Sequence, residues 1–91
     1  MQRANAYAAL TEELRRWSQM PVADLLGRLN RPPDVREITV QGEVLTIELS
    51  ATWTDTKHTA VRIEAIANGP SHWRMERLTE RVVVPLPEGI S

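Results

Sequence analysis

The stretch EVLTIELSATWT, residues 43–54, has the clearest structural pattern in this chain. Every second residue from Leu45 to Trp53 is apolar, and most of the residues between them are polar. A period of two is the pattern of a β-strand with one dry face and one wetter face. The segment VREITV, residues 35–40, precedes it, and the intervening Gln41-Gly42 is typical of a tight hairpin turn. We therefore predict an antiparallel pair of strands at the centre of the sequence.

Two more strands follow along the chain. The segment TAVRIEAIA, residues 59–67, alternates in the same way, and NGPS, residues 68–71, has the composition of a turn. The fourth strand begins with HWRMER at His72 and ends with ERVVVPL at Leu86. Its alternation slips near residues 77–79, where we expect a β-bulge or a bend. Short connections favour antiparallel neighbours, so the sequence predicts a four-stranded meander.

The N-terminal third has a helical period instead. Tyr7, Leu10, Leu14 and Trp17 recur at steps of three and four residues, which indicates one amphipathic face. Pro21 breaks this helix or begins a second one, which we expect to end near Asn30. The adjacent carboxylates at 12 and 13 point about 100° apart on a helix, so we interpret them as a solvated face.

Together these patterns predict one α+β domain. It has an N-terminal helix pair, or one kinked helix, packed on one face of a four-stranded antiparallel meander sheet. The expected boundaries are helical 4–30, linker 31–34, sheet 35–84 and tail 85–91. The helices should cover the face that carries the large apolar residues of the strands, namely Leu45, Ile47, Leu49, Trp53, Val61, Ile63 and Trp73.

Composition excludes several classes of function. The 91 residues carry a net charge of −1, so nothing favours nucleic acid as a partner. The sequence contains no cysteine, which removes thiolate catalysis and cysteine-bound zinc. Charged residues interrupt the first twenty positions, and no run reaches the roughly 20 apolar residues of a membrane span. We therefore expect a cytoplasmic protein. The chain is rich in arginine and alanine, which indicates the base composition of its genome, as in many bacteria.

The segment TWTDTKHT, residues 52–59, crowds Asp55, Lys57 and His58 together. They could form a proton-transfer or metal cluster, but the position suits the tip of a hairpin, where Asp and Thr bond nearby backbone groups. His58 should open the third strand and His72 should lie beyond its far end, too distant to share a metal. We therefore expect no catalytic residue, no metal and no cofactor.

Two surfaces remain as candidate sites. The wetter sheet face should carry charges of alternating sign, which cross-strand ion pairs would explain and which would also suit a partner surface. Its candidate members are Glu48, Arg62, Glu64, Ile66, Arg74 and Glu76, with Val44, Ala60 and Leu78 diluting the charge. The second surface is a pocket between helices and sheet, lined by Tyr7, Trp17, Trp53 and Trp73.

Two functions follow from these surfaces. The first is a non-catalytic protein-interaction domain that acts as a homodimer, an adaptor or an inhibitor, so its partner is a protein or a second copy. The alternative is a small-ligand-binding or weakly catalytic pocket between the helices and a curved sheet. The first is preferred because the sequence shows no catalytic constellation.

Overall fold

A computed structural model gives the architecture of the chain and describes residues 3–69 and 77–87. Two helices precede a four-stranded antiparallel sheet with strand order 1-2-3-4, which confirms the predicted α+β meander. The elements are α1 (Arg3–Ser18), α2 (Val22–Leu26), β1 (Asp34–Val40), β2 (Glu43–Trp53), β3 (Ala60–Asn68) and β4 (Leu78–Pro85).

The hairpin between β1 and β2 has the predicted two-residue turn. Val40 pairs with Glu43, and the two residues between them have positive φ, 51° for Gln41 and 79° for Gly42. Positive φ at both central positions is the geometry of a type I′ turn, whose twist matches that of the flanking strands. The turn therefore fixes the register that sends alternate residues of β2 to opposite faces.

The core lies between α1 and one face of the sheet. Leu45, Ile47 and Leu49 of β2 are fully buried, as are Val61 and Ile63 of β3. From the helix, the core receives Ala6, Leu10, Leu14 and Trp17, and α2 adds Leu25. These are the residues that the two periods predict, apart from Ala6, and they form one continuous cluster. Trp53 packs at the margin of this cluster and is half-buried.

Helix α1 runs across the strands rather than along one of them. The Tyr7 hydroxyl donates to Glu80 of β4 at 2.5 Å, while Glu13 accepts from Arg36 of β1 at 2.9 Å. These contacts bind the helix to both edge strands of the sheet. The same contacts correct two expectations: Tyr7 is exposed, and Glu13 is only 4% exposed rather than solvated. Glu13 follows Leu10 by three residues, so it shares the buried face of the helix.

The second helix is shorter than predicted, since it ends at Leu26 rather than near Asn30. Beyond it the chain extends, and Leu29 forms a parallel bridge with Ala51. The backbone N–H of Asn30, a residue with φ of 58°, donates to the Ala51 carbonyl. Strand β1 starts opposite Leu49, which leaves the end of β2 without a neighbour on that side. Residues 29 and 30 occupy this edge, and the backbone bond gained there replaces helical continuation.

Near the start of β4, the residues that face the core are those predicted to face outward, and the reverse. The register of β4 with β3 is unbroken from Leu78 to Pro85, so no bulge occurs in this part of the strand. Leu78 is buried in the core rather than part of the wetter face. The predicted beginning of the strand at His72, with Trp73 and Met75 facing the core, lies outside the described residues. Strand β3 begins at Ala60, so His58 belongs to the preceding connection.

Candidate functional site

The sheet has a second face that no element among residues 3–69 and 77–87 covers, and we call it the open face. Both helices pack on the opposite side, with the core. The open face carries the alternate side chains of all four strands. They are Val35, Glu37 and Thr39 of β1; Val44, Thr46, Glu48, Ser50 and Thr52 of β2; Ala60, Arg62, Glu64, Ile66 and Asn68 of β3; and Thr79, Arg81, Val83 and Pro85 of β4.

Apolar side chains are exposed on three strands of the open face. Val35 is 59% exposed, Val44 49% and Val83 52%, and these are the most exposed large aliphatic residues of the described chain. Ile66 is half-buried at the centre of the same face. An antiparallel sheet with one solvated face normally alternates apolar inward and polar outward. The valines break that rule at positions where no described residue shields them.

The charges of the open face are only partly paired. Arg81 Nε donates to Glu64 Oε2 at 2.8 Å across β3 and β4, which is a cross-strand ion pair of the expected kind. Arg62 stands between Thr52 and Val83, and Glu48 stands between Val35 and Ile66. Neither of these two charges has an ion-pair partner in the described part of the chain.

The structure places four of the six predicted face residues together. Glu48, Arg62, Glu64 and Ile66 all lie on the open face, as the alternation of β2 and β3 requires. The other two, Arg74 and Glu76, lie outside the described residues. Sequence reasoning missed Arg81 and Val83, which belong to the same face. Three consecutive valines in β4 show no alternation. The pairing of Arg81 with Glu64 determines which of these valines face outward.

A cleft of about 440 Å³ opens between α2, the linker and the start of β1. Trp17 and Leu49 form its apolar floor, and Arg28, Arg31 and Asp34 contribute charge. The Arg28 guanidinium lies 4.8 Å from the centre of the Trp17 ring, a cation–π distance, and also forms an ion pair with Asp34. This cleft has the size of a small-molecule site, but its main cation is already occupied by residues of the chain.

The aromatic residues of the predicted pocket lie at separate places. Trp17 lines the cleft, whereas Trp53 stacks on His58 at the end of β2, with ring centres 4.3 Å apart and planes 11° from parallel. Tyr7 lies over β4, where its hydrogen bond to Glu80 raises the pKa of the tyrosine hydroxyl and lowers the pKa of the carboxyl group. Trp73 lies outside the described residues. The cleft beside α2 is lined by Trp17 but by neither Tyr7 nor Trp53.

The segment TWTDTKHT forms the connection between β2 and β3. The backbone N–H of Lys57 donates to Asp55 Oδ1 at 3.0 Å, which is the side-chain-to-backbone bond of an Asx turn. His58 has a φ of 57°, and its ring is held by Trp53. Within residues 3–69 and 77–87, no three His, Asp or Glu side chains are grouped to hold a metal ion. These residues build a turn.

Comparison with known proteins yields no relative. No family model, no curated protein and no solved structure matches the chain. Neither of the two described helices has the length and apolar character that crossing a bilayer requires. The function must therefore be argued from the residues and their geometry alone.

Proposed function

We propose that this chain is a non-catalytic protein-interaction domain and that the open face is its contact surface. The observation that carries the proposal is the coexistence of exposed valines and unpaired charges on one face of the sheet. Val35, Val44 and Val83 are about half exposed, and Arg62 and Glu48 have no described ion-pair partner on that face. A partner layer would bury the valines and supply counter-charges at the same time.

The layer architecture supports this proposal. The helices cover one face of the described sheet, so its open face remains available to a further layer. Scattered apolar residues on a protein surface need no explanation. Here, however, the apolar members of the open face occur on all four strands, and polar and charged residues lie between them on the two middle strands. Such a mixture resembles the average composition of a non-obligate protein interface.

The charge balance of the open face restricts the kind of partner. Glu37, Glu48 and Glu64 face outward together with Arg62 and Arg81. A face of nearly equal positive and negative charge offers little attraction to a strongly acidic or basic polymer. It suits a protein surface that is itself mixed, with each charge meeting its opposite.

A site-specific photo-crosslinker tests the proposal. The probe is placed at Val83 on the open face and, as a matched control, at Ala8, an exposed position of α1 on the opposite side of the molecule. After irradiation in lysate of the source organism, the Val83 probe should give one discrete adduct and the Ala8 probe none. Equal yields of diffuse adducts from both positions would contradict an interaction role for the open face.

The cleft beside α2 supports a second candidate function, the binding of a small ligand. The supporting observation is the cation–π contact of Arg28 with Trp17, which a ligand could displace. The chain has three tryptophans, so a Trp53→Phe/Trp73→Phe variant leaves Trp17 as the only one. Titration of that variant with pooled metabolites should change Trp17 emission if the cleft binds a ligand. An unchanged emission spectrum with all pools would eliminate this candidate.

A further inference from the structure

We propose that the partner of the open face is a second copy of this chain, packed face to face so that Glu48 of each copy pairs with Arg62 of the other. This inference rests on the proposed interaction function and names its partner. It starts from the two unpaired charges of opposite sign on adjacent strands. A second copy carries the same two groups, so it can pair both charges of this surface at once.

The strand register shows why the two groups do not pair within one copy. Glu48 pairs with Ile66, whereas Arg62 pairs with Thr52. Thr52 is four residues beyond Glu48 on β2, which is about 13 Å at roughly 3.3 Å per residue. Side chains stand perpendicular to a sheet and do not reach along it over that distance. Each charge therefore projects outward beside uncharged neighbours.

The same register locates the two-fold axis. Two identical sheets that face each other are related by an axis lying in the interface plane, and positions on opposite sides of that axis meet. The midpoint between Glu48 and Arg62 is the cross-strand pair of Ser50 and Glu64. An axis that crosses the strands there, inclined by about 20° from their perpendicular because the two residues lie one strand apart, brings Glu48 of one copy over Arg62 of the other. The reciprocal contact forms by symmetry.

The residues near this axis are compatible with close approach. Ser50 is small, and Glu64 is neutralised by Arg81 in its own copy. No uncompensated charge therefore meets its own image on the axis. Farther from the axis, the row of paired residues Thr52, Arg62 and Val83 in one copy faces the row Val35, Glu48 and Ile66 in the other. Val83 of one copy therefore contacts Ile66 of the other. The exposed valine of β4 thereby gains an apolar neighbour.

The area of the open face is sufficient for a dimer. Four strands at about 4.8 Å spacing and about eight residues of roughly 3.3 Å give a footprint of about 500 Å² per copy. Two copies together bury about 1,000 Å², which reaches the lower bound for a specific interface. The interface is thus small, and we expect a dimer that dissociates on dilution rather than an obligate one.

Charge reversal with sedimentation velocity over a range of protein concentrations tests this inference. The four samples are wild type, Glu48→Arg, Arg62→Glu and the double variant. Each single change places like charges at both symmetric contacts and should raise the dissociation constant at least about tenfold. The double variant exchanges the charges and should dimerise within about threefold of wild type. Arg15→Glu, an exposed charge reversal on α1 away from the open face, is the matched control and should have no effect on dimerisation.

Mixing the two single variants gives the decisive result. A mixed dimer has arginine facing glutamate at both contacts, so an equimolar mixture of Glu48→Arg and Arg62→Glu should dimerise although neither does so alone. Circular dichroism of each single variant verifies that it is folded. No rescue in the mixture would overturn the proposed pairing.

A wild-type protein that stays monomeric at several hundred micromolar would overturn the second copy as partner. The mass of the Val83 photo-adduct tests the interaction function separately. A Val83 photo-adduct heavier than one chain but not of twice its mass would retain the function with a different protein as partner. The absence of any specific adduct would eliminate both.

Discussion

The contact between Glu13 and Arg36 provides a quantitative test of how the helix is bound to the sheet. Glu13 is a carboxylate on the buried face of α1, with only 5% of its side chain exposed. Arg36 lies on the edge strand β1 and donates to it at 2.9 Å, and Arg16 contacts the other carboxylate oxygen at 3.5 Å. About half of each arginine side chain is exposed. The pair is therefore buried on one side and hydrated on the other.

This asymmetry predicts unequal costs for removing the two partners. Arg36→Met keeps the apolar stem but leaves a buried carboxylate with only the longer contact to Arg16. Breaking a fully buried pair costs about 3–5 kcal/mol and an exposed one less than about 1 kcal/mol, so we expect a loss of about 1–3 kcal/mol. Glu13→Met should cost less, because the arginine that it leaves behind can be hydrated. The double variant should be close to Glu13→Met, since no buried charge then remains.

Urea unfolding followed by circular dichroism measures the effect, at a protein concentration low enough to keep the chain monomeric. The unfolding free energies of wild type, the two single variants and the double variant form a cycle whose interaction energy should equal the cost of Arg36→Met, about 1–3 kcal/mol. Two results would refute the reasoning. One is additivity within about 0.5 kcal/mol, and the other is a larger cost for Glu13→Met than for Arg36→Met.

Three further predictions concern the turn, the core and the Tyr7 contact. Gly42→Ala should lower the unfolding free energy by about 1–2 kcal/mol, because Gly42 has a φ of 79°. No atom lies near the position of the added Cβ, so only backbone strain contributes. An unchanged urea midpoint would contradict the type I′ turn. Ile47→Ala should cost about 2–5 kcal/mol, because Ile47 is fully buried in the core; a thermal shift of only a degree or two would contradict its burial. Tyr7 is the only tyrosine, so its absorbance titration should have a midpoint above the ordinary 10.0, and Glu80→Gln should move that midpoint back down.

The same contact contributes to the pH dependence of stability at both ends of the scale. The hydrogen bond lowers the pKa of Glu80, so its contribution is present above the ordinary carboxyl range and is lost as pH falls through the lowered folded value. The pKa of Tyr7 is raised, so its contribution is present below about pH 10 and is lost as pH rises through the raised folded value. Tyr7→Phe should flatten both limbs of the stability profile.

The strands of the fold were predictable because their two faces differ. In β2, apolar and polar residues alternate over the whole strand, so burial alone determines which face points inward. The turn at Gln41-Gly42 was predictable for a local reason, since glycine readily adopts positive φ. Both signals are contained within a few residues and need no knowledge of distant contacts.

The errors in the helical part arise from contacts between distant segments. Glu13 shares the spacing of the buried residues, but its charge indicated solvent until Arg36, 23 residues away, was found to pair with it. Helix α2 ends where residues 29 and 30 pair with the edge of β2 at Ala51. The sequence of the helix does not encode this contact. Tertiary contacts override local propensity at both places.

The candidate face was predictable only where alternation was clear. Glu48, Arg62, Glu64 and Ile66 follow from the period of two in β2 and β3. Val83 does not, because it stands in a run of valines that fits either phase. The exposure of Val83, and with it the apolar contact to Ile66 in the proposed dimer, depends on the pairing of β4 with β3.

Methyl resonances followed as a function of protein concentration report which face of the molecule becomes covered when two copies associate. If two copies pack through the open face, the methyl signals of Ile66 and Val83 should shift together on concentration, whereas that of Ala8 on the outer side of α1 should stay constant. Concentration-dependent shifts at Ala8 with an unchanged Val83, or no shifts at any methyl group up to millimolar protein, would contradict the account.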